Sequence, residues 1–376
     1  MTSASKYDVL IIGGGLSGLT SALHLSKANC KVLLIEKQKY PHHKVCGEYI
    51  SNEVIPYLKS LEVDPFSIGA KHITNFEITN KQGQLLKTKL PLGGFGLSRY
   101  AFDEMLFNAV KDTVTVLFNT VEKVTFHDNK FTVTTQDKAV FTADYVVGAY
   151  GKRSNIDKDQ KRAFIKKKTS WLAVKAHYDF NIKDDTVALH NFDGGYCGLS
   201  KTEMGTVNAC YLATYKSFGT SGGNIEAFQK QVLSKNPYLK EFFAHAKPLF
   251  KKPLTIGQIS FDKKLPVENH IFMIGDSAGL IHPLCGNGMA MAIHSAKIFS
   301  DFLVTALKKE SVNRLALETQ YTKLWNQTFS KRLRTGRRIQ SLLLHPRATS
   351  IGFSAAKLFP SVVPSLIKKT HGEPII

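Results

Sequence analysis

Paired cysteines, a cysteine metal motif and a long apolar run are all missing from this sequence of 376 residues. Its five cysteines are dispersed, with neither a Cys-x-x-Cys pair nor the spacing of metal ligands. Dispersed thiols in an odd number are typical of a reducing compartment, and we expect no metal site. No stretch of about 18 apolar residues is free of charge and proline, and the first residues do not resemble a signal peptide. We therefore expect a cytoplasmic protein without a membrane-spanning helix.

Acidic residues are also scarce: 30 Asp and Glu stand against 50 Lys and Arg, which gives a formal net charge of +20. Such a surface attracts anions, among them nucleic acid, anionic lipid or an acidic carrier protein. The same excess also arises from composition alone, without any partner. With 43% hydrophobic residues, the chain is long enough for one large domain and a second lobe.

A glycine-rich turn near the start predicts a dinucleotide site. Residues 7–12 form an apolar strand, 13–18 read Gly-Gly-Gly-Leu-Ser-Gly, 19–28 are helical, and 31–35 form a second strand that ends at Glu36. In a G-x-G-x-x-G turn the backbone approaches the pyrophosphate at the helix N-terminus, and the later carboxylate binds ribose hydroxyls. This pattern alone leaves NAD and FAD open. The predicted cofactor residues here are Gly13, Gly15, Leu16, Ser17, Gly18, Glu36 and Lys37.

A second small-residue turn near the other end favours FAD. Residues 275–279 read Gly-Asp-Ser-Ala-Gly after an apolar strand, and a long helix follows from about 287 to 308. A carboxylate in such a turn suits the ribityl hydroxyls of a flavin, and the helix N-terminus would stabilise negative charge on the reduced ring. An ordinary strand–helix turn is the alternative. The predicted contacts are Gly275, Asp276, Pro283, Gly286, Asn287, Gly288 and Met289.

Between these turns the chain changes character. Residues 160–260 are rich in strands, with one helical stretch near 224–246, and α/β segments flank them. We therefore predict an α/β fold: a Rossmann-type FAD-binding domain, an inserted and mostly antiparallel β-sheet substrate domain, and C-terminal helices. The predicted units are 1–75, 99–158 and 260–310 for FAD binding, 76–98 and 159–259 for the substrate domain, and 311–376 for a basic helical segment.

With these motifs the chain resembles the FAD-dependent group that includes para-hydroxybenzoate hydroxylase, geranylgeranyl reductases and flavin-dependent halogenases. Residues 98–103, Ser-Arg-Tyr-Ala-Phe-Asp, resemble the Arg-x-x-Phe-Asp element of that group, whose arginine sits by the cofactor phosphates. The resemblance implies FAD as cofactor and adds Arg99, Val121 and Gly151 to its contacts. It covers 1–155 and 260–305 well and the middle of the chain only loosely.

One motif departs from the family. The usual Gly-Ala-Asp-Gly reads Gly-Ala-Tyr-Gly at 148–151, so Tyr150 cannot supply the carboxylate linked to pyridine nucleotide contacts. NAD(P)H is therefore an uncertain electron donor. Lys152 and Arg153, which follow, could still contact phosphates.

Two further segments point to chemistry beside the flavin. Residues 44–48, Lys-Val-Cys-Gly-Glu, resemble the Cys-Gly stretch of geranylgeranyl reductases, which implies a position for Cys46 beside the flavin ring. Cys46 could then donate a proton, or simply be a small buried side chain. Glu48 could be a general acid if burial raises its pKa. Tyr196 and Cys197 loosely resemble the aromatic strand that lines the substrate cavity in the reductases.

The C-terminal segment combines charge with apolar residues. Five of the eight residues at 331–338 are Lys or Arg, and an apolar run follows at 339–344. This pattern suits a helix on a membrane surface or over a lipid channel, and equally a solvated helix that packs back on the core. No nucleic-acid-binding fold surrounds it, so we expect no nucleic-acid partner.

These features lead us to expect an enzyme that reduces C=C bonds in a hydrophobic, polyene or isoprenoid-like substrate, free or carrier-bound. The alternative is a monooxygenase that hydroxylates a phenolic or polyketide-derived molecule. A flavin-binding protein without turnover is a third hypothesis. The Trp-x-Trp-x-Ile-Pro element of the halogenases is absent, so we do not expect halogenation.

Overall fold

The computed structural model describes residues 6–309 and 313–376, apart from the side chains of 342–344, 346–348 and 350. These residues form two β-sheets, and helices pack on them.

The first sheet has a parallel centre built on the predicted βαβ unit. Strand β1 (Lys6–Ile12) lies between β2 (Val32–Glu36) and β9 (Val140–Gly148), and both pairings are parallel. Residues 9–12 and 32–36 are buried throughout, as expected for a parallel sheet covered on both faces. The other strands of this sheet are β6 (Thr115–Phe118), β7 (Val121–His127), β8 (Lys130–Thr135), β16 (Val267–Glu268) and β17 (Ile271–Met273).

The second sheet is antiparallel except where β4 (Lys71–Thr79) pairs in parallel with β11 (Thr186–Phe192). The predicted fold class, a Rossmann-type FAD-binding domain with a mostly antiparallel substrate sheet, is therefore confirmed. The other strands of this sheet are β3 (Tyr49–Ser51), β5 (Leu85–Gly96), β10 (Trp171–Asp179), β12 (Gly195–Lys201), β13 (Val207–Thr214), β14 (Lys247–Pro248) and β15 (Leu254–Ile259).

Helices cover the outer faces of both sheets. The two central helices of the first domain pack on each other, and a hydrogen bond of 3.0 Å joins the Oγ atoms of Ser21 and Ser300 between them. The helices are α1 (Leu16–Lys27), α2 (Ile55–Ser60), α3 (Arg99–Val110), α4 (Asn155–Asp159), α5 (Tyr215–Gly219), α6 (Ile225–Gln231), α7 (Pro237–His245), α8 (Gly288–Leu307), α9 (Arg314–Leu344), α10 (Pro346–Leu358) and α11 (Val362–Thr370).

The domain boundaries in space differ from those predicted along the chain. The predicted break between 75 and 76 falls inside β4, and β3 at 49–51 already pairs with β5 of the second sheet. Conversely, Arg162 lies beyond the predicted break at 158 but bonds within the first domain. Single edge strands such as β3 carry little sequence signal, because their partner lies about 45 residues away in the chain.

The predicted C-terminal basic segment is not a separate unit. Tyr321, Trp325 and Phe329 of α9 are buried in the core of the first domain, and the Tyr321 hydroxyl donates to the Met273 carbonyl at 2.9 Å. Of the two interpretations of residues 331–338, packing back on the core describes this helix better. Arg332, for example, pairs with buried Glu53 at 3.1 Å.

Among the described residues, one helix is long and apolar enough to cross a membrane. This helix is α8, and half of its apolar window is buried inside the protein. It packs against α1 in the core of the cofactor domain, as core helices of similar composition do.

The buried guanidinium of Arg162 ties three segments of the cofactor domain together. It bonds to Asp157 at 2.8 Å, to Glu268 at 2.6 Å and to the Ser277 carbonyl at 3.0 Å. Its side chain and that of Asp157 are fully buried. Removing one member of a buried ion pair leaves the other charge without compensation, which is more costly than losing the attraction itself.

We therefore expect Arg162→Met to lower the free energy of unfolding by about 3–5 kcal/mol. Urea unfolding of the FAD-loaded protein would measure this loss. The matched control is Lys158→Met, an exposed position in the same segment, where we expect a change of about 0.5 kcal/mol or less. Adding Asp157→Asn to Arg162→Met should recover part of the loss. Equal stabilities for the Arg162 and Lys158 variants would contradict this account.

Candidate active site

One large cavity lies between the two sheets. It has a volume of about 750 Å³ and runs from the glycine turns of the cofactor domain to the apolar face of the second sheet. The lining is polar or glycine-rich at the first end and mostly apolar at the second. Such a cavity suits a polar cofactor that carries its reactive part towards an apolar substrate.

The first glycine turn lies at the polar end and is shaped by close packing. Gly13 has φ of +105°, and a Cβ there would come within 2.6 Å of the Ala149 carbonyl oxygen. A Cβ on Gly18 would lie 1.9 Å from the Gly13 carbonyl oxygen, so Gly18 sets the approach of helix to strand and does not line the cavity. Gly13, Gly15, Leu16 and Ser17 do line it.

Glu36 stands at the end of β2, as predicted, and supports this turn. Its carboxylate accepts hydrogen bonds from the backbone N–H groups of Gly14 at 2.6 Å and Gln38 at 3.1 Å. Tyr40, which was not predicted, donates its hydroxyl to the Gly14 carbonyl at 2.5 Å. Glu36 and Lys37 both line the cavity, where a carboxylate can bind ribose hydroxyls.

The start of α1 is a cradle for phosphate. Gly15 precedes the helix without any side-chain cap, so the first N–H groups of the helix are available to an anion. A Cβ built on Gly15 would have only the Arg99 guanidinium within 4 Å, at 3.6 Å. Helix N-terminus and guanidinium therefore converge on one point, which is the arrangement that a pyrophosphate requires.

Arg99 is held in place by a bidentate ion pair. Its Nε and Nη2 atoms donate to Asp103 at 2.8 and 2.7 Å, and Lys44 donates to the same carboxylate at 2.8 Å. Burial opposes ionisation of Asp103, but Arg99 and Lys44 together keep its pKa below the usual value. The Arg-x-x-Phe-Asp element thus presents a guanidinium of fixed orientation to the cavity.

The second turn brings Asp276 to the same cavity. Gly275 has φ of +59° and packs against Ser17, so it shapes the turn without lining the cavity. Buried Lys264, absent from the sequence prediction, donates to the Asp276 carbonyl at 2.7 Å and to the Lys152 carbonyl at 3.0 Å. Burial lowers the pKa of Lys264 to about 8, although Asp157 and Asp276 oppose the shift.

A second helix N-terminus, that of α8, reaches the cavity. Pro283, Gly286, Gly288 and Met289 line it, and no side chain caps the first turn of α8. Asn287 does not line the cavity, because its amide donates to Glu53 at 3.1 Å. An uncapped N-terminus at this place favours negative charge on a bound ring.

The chain therefore has the glycine cradle, the ribose carboxylate, the guanidinium and the second turn that FAD needs. Of two other predicted cofactor contacts, one lies at the cavity and one lies away from it. Gly151 lines the cavity, whereas the Val121 side chain is buried in the core of the first domain. Tyr150 also lines the cavity, with Lys152 and Arg153, and its hydroxyl contacts the Met273 sulfur at 3.2 Å.

Glu48 lies at the junction of the two sheets and is not the neutral acid that burial alone would produce. The backbone N–H of Arg99 donates to its carboxylate at 2.8 Å, and the His177 Nε2 atom lies 2.7 Å from the same group. The Lys175 Nζ atom forms an ion pair with this carboxylate. Burial raises the pKa of Glu48, but Lys175 and His177 lower it by a larger amount, so the net shift of the pKa is downward. The general-acid prediction for Glu48 is therefore wrong: the group is an ionised carboxylate.

The same cluster has the outline of a cation site. Ligand atoms of His43, Glu48 and His177 lie within 4.8 Å of one another. Lys175, however, already places an ammonium against the Glu48 carboxylate. The buried charge is thus compensated by a side chain, and we assign the cluster to ion pairing.

Cys46 lines the cavity beside Glu48, and its segment is fastened to the second sheet. The Cys46 carbonyl accepts from the Asn208 amide at 3.1 Å, and the Gly47 carbonyl accepts from the Ser200 hydroxyl at 3.1 Å. Cys210, which was not predicted, also lines the cavity, and burial raises the pKa of its thiol to about 12. No motif in the sequence pointed to Cys210, since its position beside the cavity follows from the pairing of β13 with β10 and β12.

The two residues predicted to contact substrate, Tyr196 and Cys197, face opposite sides of the second sheet. Tyr196 lines the cavity, as does Gly198 on the same face of β12. Cys197 points to the opposite face and packs in the core between the second sheet and its helices. The prediction that Cys197 contacts substrate is therefore wrong, because successive side chains of a strand face opposite sides.

The far end of the cavity is mostly apolar and is lined by the second sheet and by the C-terminal helices. Leu189 and Leu212 line it from the sheet, Ile339 from α9, Phe353 from α10 and Ile367 from α11.

Comparison with known proteins agrees with this geometry. The family model described as "FAD binding domain" matches residues 6–322. The digeranylgeranylglycerophospholipid reductase of Methanosarcina acetivorans is 24% identical, over 86% of this chain and 81% of its own length. The FAD-dependent monooxygenase spyC of Aspergillus fumigatus is 25% identical, over 82% of this chain and 72% of its own length.

Among solved structures, the flavin-dependent brominase Bmp2 shares the fold with a TM-score of 0.79 at 17% identity, over 97% of this chain and 93% of its own. Both of the relatives named above are enzymes, and this chain is an enzyme of the same kind, so the hypothesis of a flavin-binding protein without turnover is set aside. The chain belongs to the FAD-binding domain family, and the protein is a FAD-dependent oxidoreductase.

Proposed function

We propose that this oxidoreductase reduces a C=C bond in a long hydrophobic substrate of the polyene or isoprenoid class. The observation that carries the proposal is the continuous cavity, which passes from Cys46 and the cofactor cradle to an apolar end lined by residues such as Leu189, Leu212 and Ile367. The name of the relative that reduces a digeranylgeranylglycerophospholipid supports the same substrate class. We further propose that the protein works in the cytoplasm, where its five unpaired thiols would stay reduced.

Residues of the cradle divide the work of holding FAD. Arg99 and the N-terminus of α1 would bind the phosphates, Glu36 the adenosine ribose, and Asp276 the ribityl chain. When bound and reduced, FAD supplies the hydride. The N-terminus of α8 would favour negative charge on the ring, which makes the reduced form easier to reach.

Cys46 is the proposed proton donor to the substrate carbon that does not receive the hydride. It lines the cavity next to Glu48, whose charged pair with Lys175 fixes the surrounding segment. Aliphatic side chains from the sheet and helices would exclude water, so that the proton comes from the protein.

The electron donor is proposed to be an acidic carrier protein, because the family carboxylate is replaced by Tyr150 and the chain has a formal net charge of +20. We expect reduced ferredoxin or flavodoxin to reduce the bound flavin faster than NADPH does, with a rate that falls as salt is added. Anaerobic stopped-flow absorbance would compare the donors. A rate with NADPH that exceeds both proteins at low salt would contradict this.

The hydroxylating alternative keeps the same cofactor site. The monooxygenase relative spyC, which matches most of the chain, is the observation in its favour. Oxygen consumption that is coupled to hydroxylated product from a phenolic or polyketide-derived compound would replace the reductase proposal.

Replacement of Glu36 by alanine should weaken FAD binding. The change removes a buried acceptor of two backbone N–H groups at the turn, which costs about 1–3 kcal/mol and raises Kd roughly tenfold. Equilibrium titration of apoprotein with FAD would measure it. Glu122→Ala, at an exposed position on β7, is the control and should bind as the unaltered protein does. Equal Kd values for both variants would refute the assigned role of Glu36.

Replacement of Cys46 by alanine should slow the reductive reaction about 100-fold or more, because general-acid catalysis contributes about that much. The assay is anaerobic reoxidation of dithionite-reduced protein by prenyl lipids, with the saturated product identified by mass spectrometry. Cys197→Ala is the matched control, since Cys197 faces away from the cavity.

Two outcomes would count against these assignments. Equal rates for the Cys46 and Cys197 variants would remove Cys46 as proton donor. Absence of reoxidation by the unaltered protein across prenyl lipids of several lengths would overturn the reductase proposal.

A further inference from the structure

The last two helices form the roof of the apolar end of the cavity. Phe353 and Ala356 of α10 are buried and line it from above, and Ile367 and Thr370 of α11 line it beside them. Spacings of three residues place each pair on one helix face. We call α10, α11 and the turn that joins them the roof.

The outer side of the roof is also apolar, although it faces solvent. Ile351 is 70% exposed, Leu358 75% and Phe359 63%. Ile351 and Leu358 are seven residues apart, so they share the face of α10 that points away from the cavity. Phe359 continues this patch into the turn. Large side chains of this kind, contiguous and exposed, mark an interaction site.

Basic residues accompany the apolar patch. Lys357, Lys368 and Lys369 are exposed on the roof. Glu373 is the only acidic residue in the sequence from 346 to 376. Apolar residues among lysines are the pattern of a helix that lies in the interface of an anionic membrane.

The lining of the cavity also includes two residues of the roof that are partly exposed. Val362 and Leu366 of α11 each retain 39% exposure, yet both line the cavity. A ligand that passes between the two helices would therefore leave the protein where the apolar patch begins.

From these observations we propose that the roof docks on an anionic phospholipid bilayer, so that the cavity opens into lipid. Docking stands on the exposed side chains alone; entry of a prenyl substrate by this route rests on the proposed function. A second copy of the chain fits less well, because a symmetric contact would set the lysines of one roof against those of the other. An acidic protein would match the lysines but leave Leu358 and Phe359 without apolar contact.

The test uses the full-length, FAD-loaded protein and vesicle co-sedimentation. We expect binding to vesicles of equal parts phosphatidylglycerol and phosphatidylcholine, and much weaker binding to phosphatidylcholine alone. Replacing Leu358 and Phe359 together by aspartate should lower partitioning to the mixed vesicles more than tenfold. The paired change Lys368→Gln and Lys369→Gln should lower it about fivefold for each lysine and weaken its salt dependence.

Met204→Asp provides the control, because Met204 is 78% exposed in a turn outside the roof. It should bind vesicles as the unaltered protein does, and all variants should keep their FAD absorbance. Failure of the unaltered protein to bind the mixed vesicles, or an equal loss in the Met204 variant, would overturn the proposal. So would a dimer in light scattering that the roof variants dissociate while vesicle binding is absent.

The two proposals can fail separately. Binding to vesicles without turnover of prenyl lipid embedded in them would leave docking intact and count against the proposed reaction. Turnover of detergent-dispersed lipid without vesicle binding would support the proposed reaction and count against docking.

Discussion

A single buried carboxylate joins the cofactor domain of this protein to its second sheet. Glu48 joins the backbone at the start of α3 to Lys175 and His177 of β10, so it connects the cofactor domain to the second sheet. Lys175 in turn donates to the Lys44 carbonyl at 3.2 Å. The segment that carries Cys46 is therefore held from both sides. Because breaking one partner of a buried pair costs several kcal/mol, the position of Cys46 depends on this cluster.

The electrostatics of the cavity likewise depend on a few fixed charges and helix ends. Two helix N-termini, those of α1 and α8, converge on it without side-chain caps, and the Arg99 guanidinium lies beside the first. Lys264 adds a buried ammonium bound to backbone carbonyls beside Asp276. A dianionic pyrophosphate and an anionic reduced ring are the ligands that such a field favours. The cofactor therefore completes a charge arrangement that the chain has already built.

How much could be predicted from the sequence depended on how far apart along the chain the interacting residues lie. The glycine turn at 13–18 and the start of α8 at Gly288 were predicted well, because both are local patterns of glycine and helical period. Cys197 was misassigned because the strand register, which decides the face of each side chain, is set by partner strands far along the chain. The charge state of Glu48 depends on Lys175 and His177, more than 125 residues away, so burial alone gave the wrong direction.

The basic residues of the C-terminal segment divide into two groups with different physical roles. Arg332 of α9 is turned inward and pairs with buried Glu53, which also accepts from Asn287 at the start of α8 and from the backbone N–H of Gly372 after α11. One carboxylate thus fastens the cofactor-facing helix and the end of the roof together. The fixed end of α11 is the end beside the cofactor domain, and the exposed turn with Phe359 lies at the other end. A roof held in this way can present an apolar tip outward without disturbing the helix that faces the flavin. Arg332, which faces inward, therefore helps to hold the roof in place, so that the lysines that face outward can contact a surface.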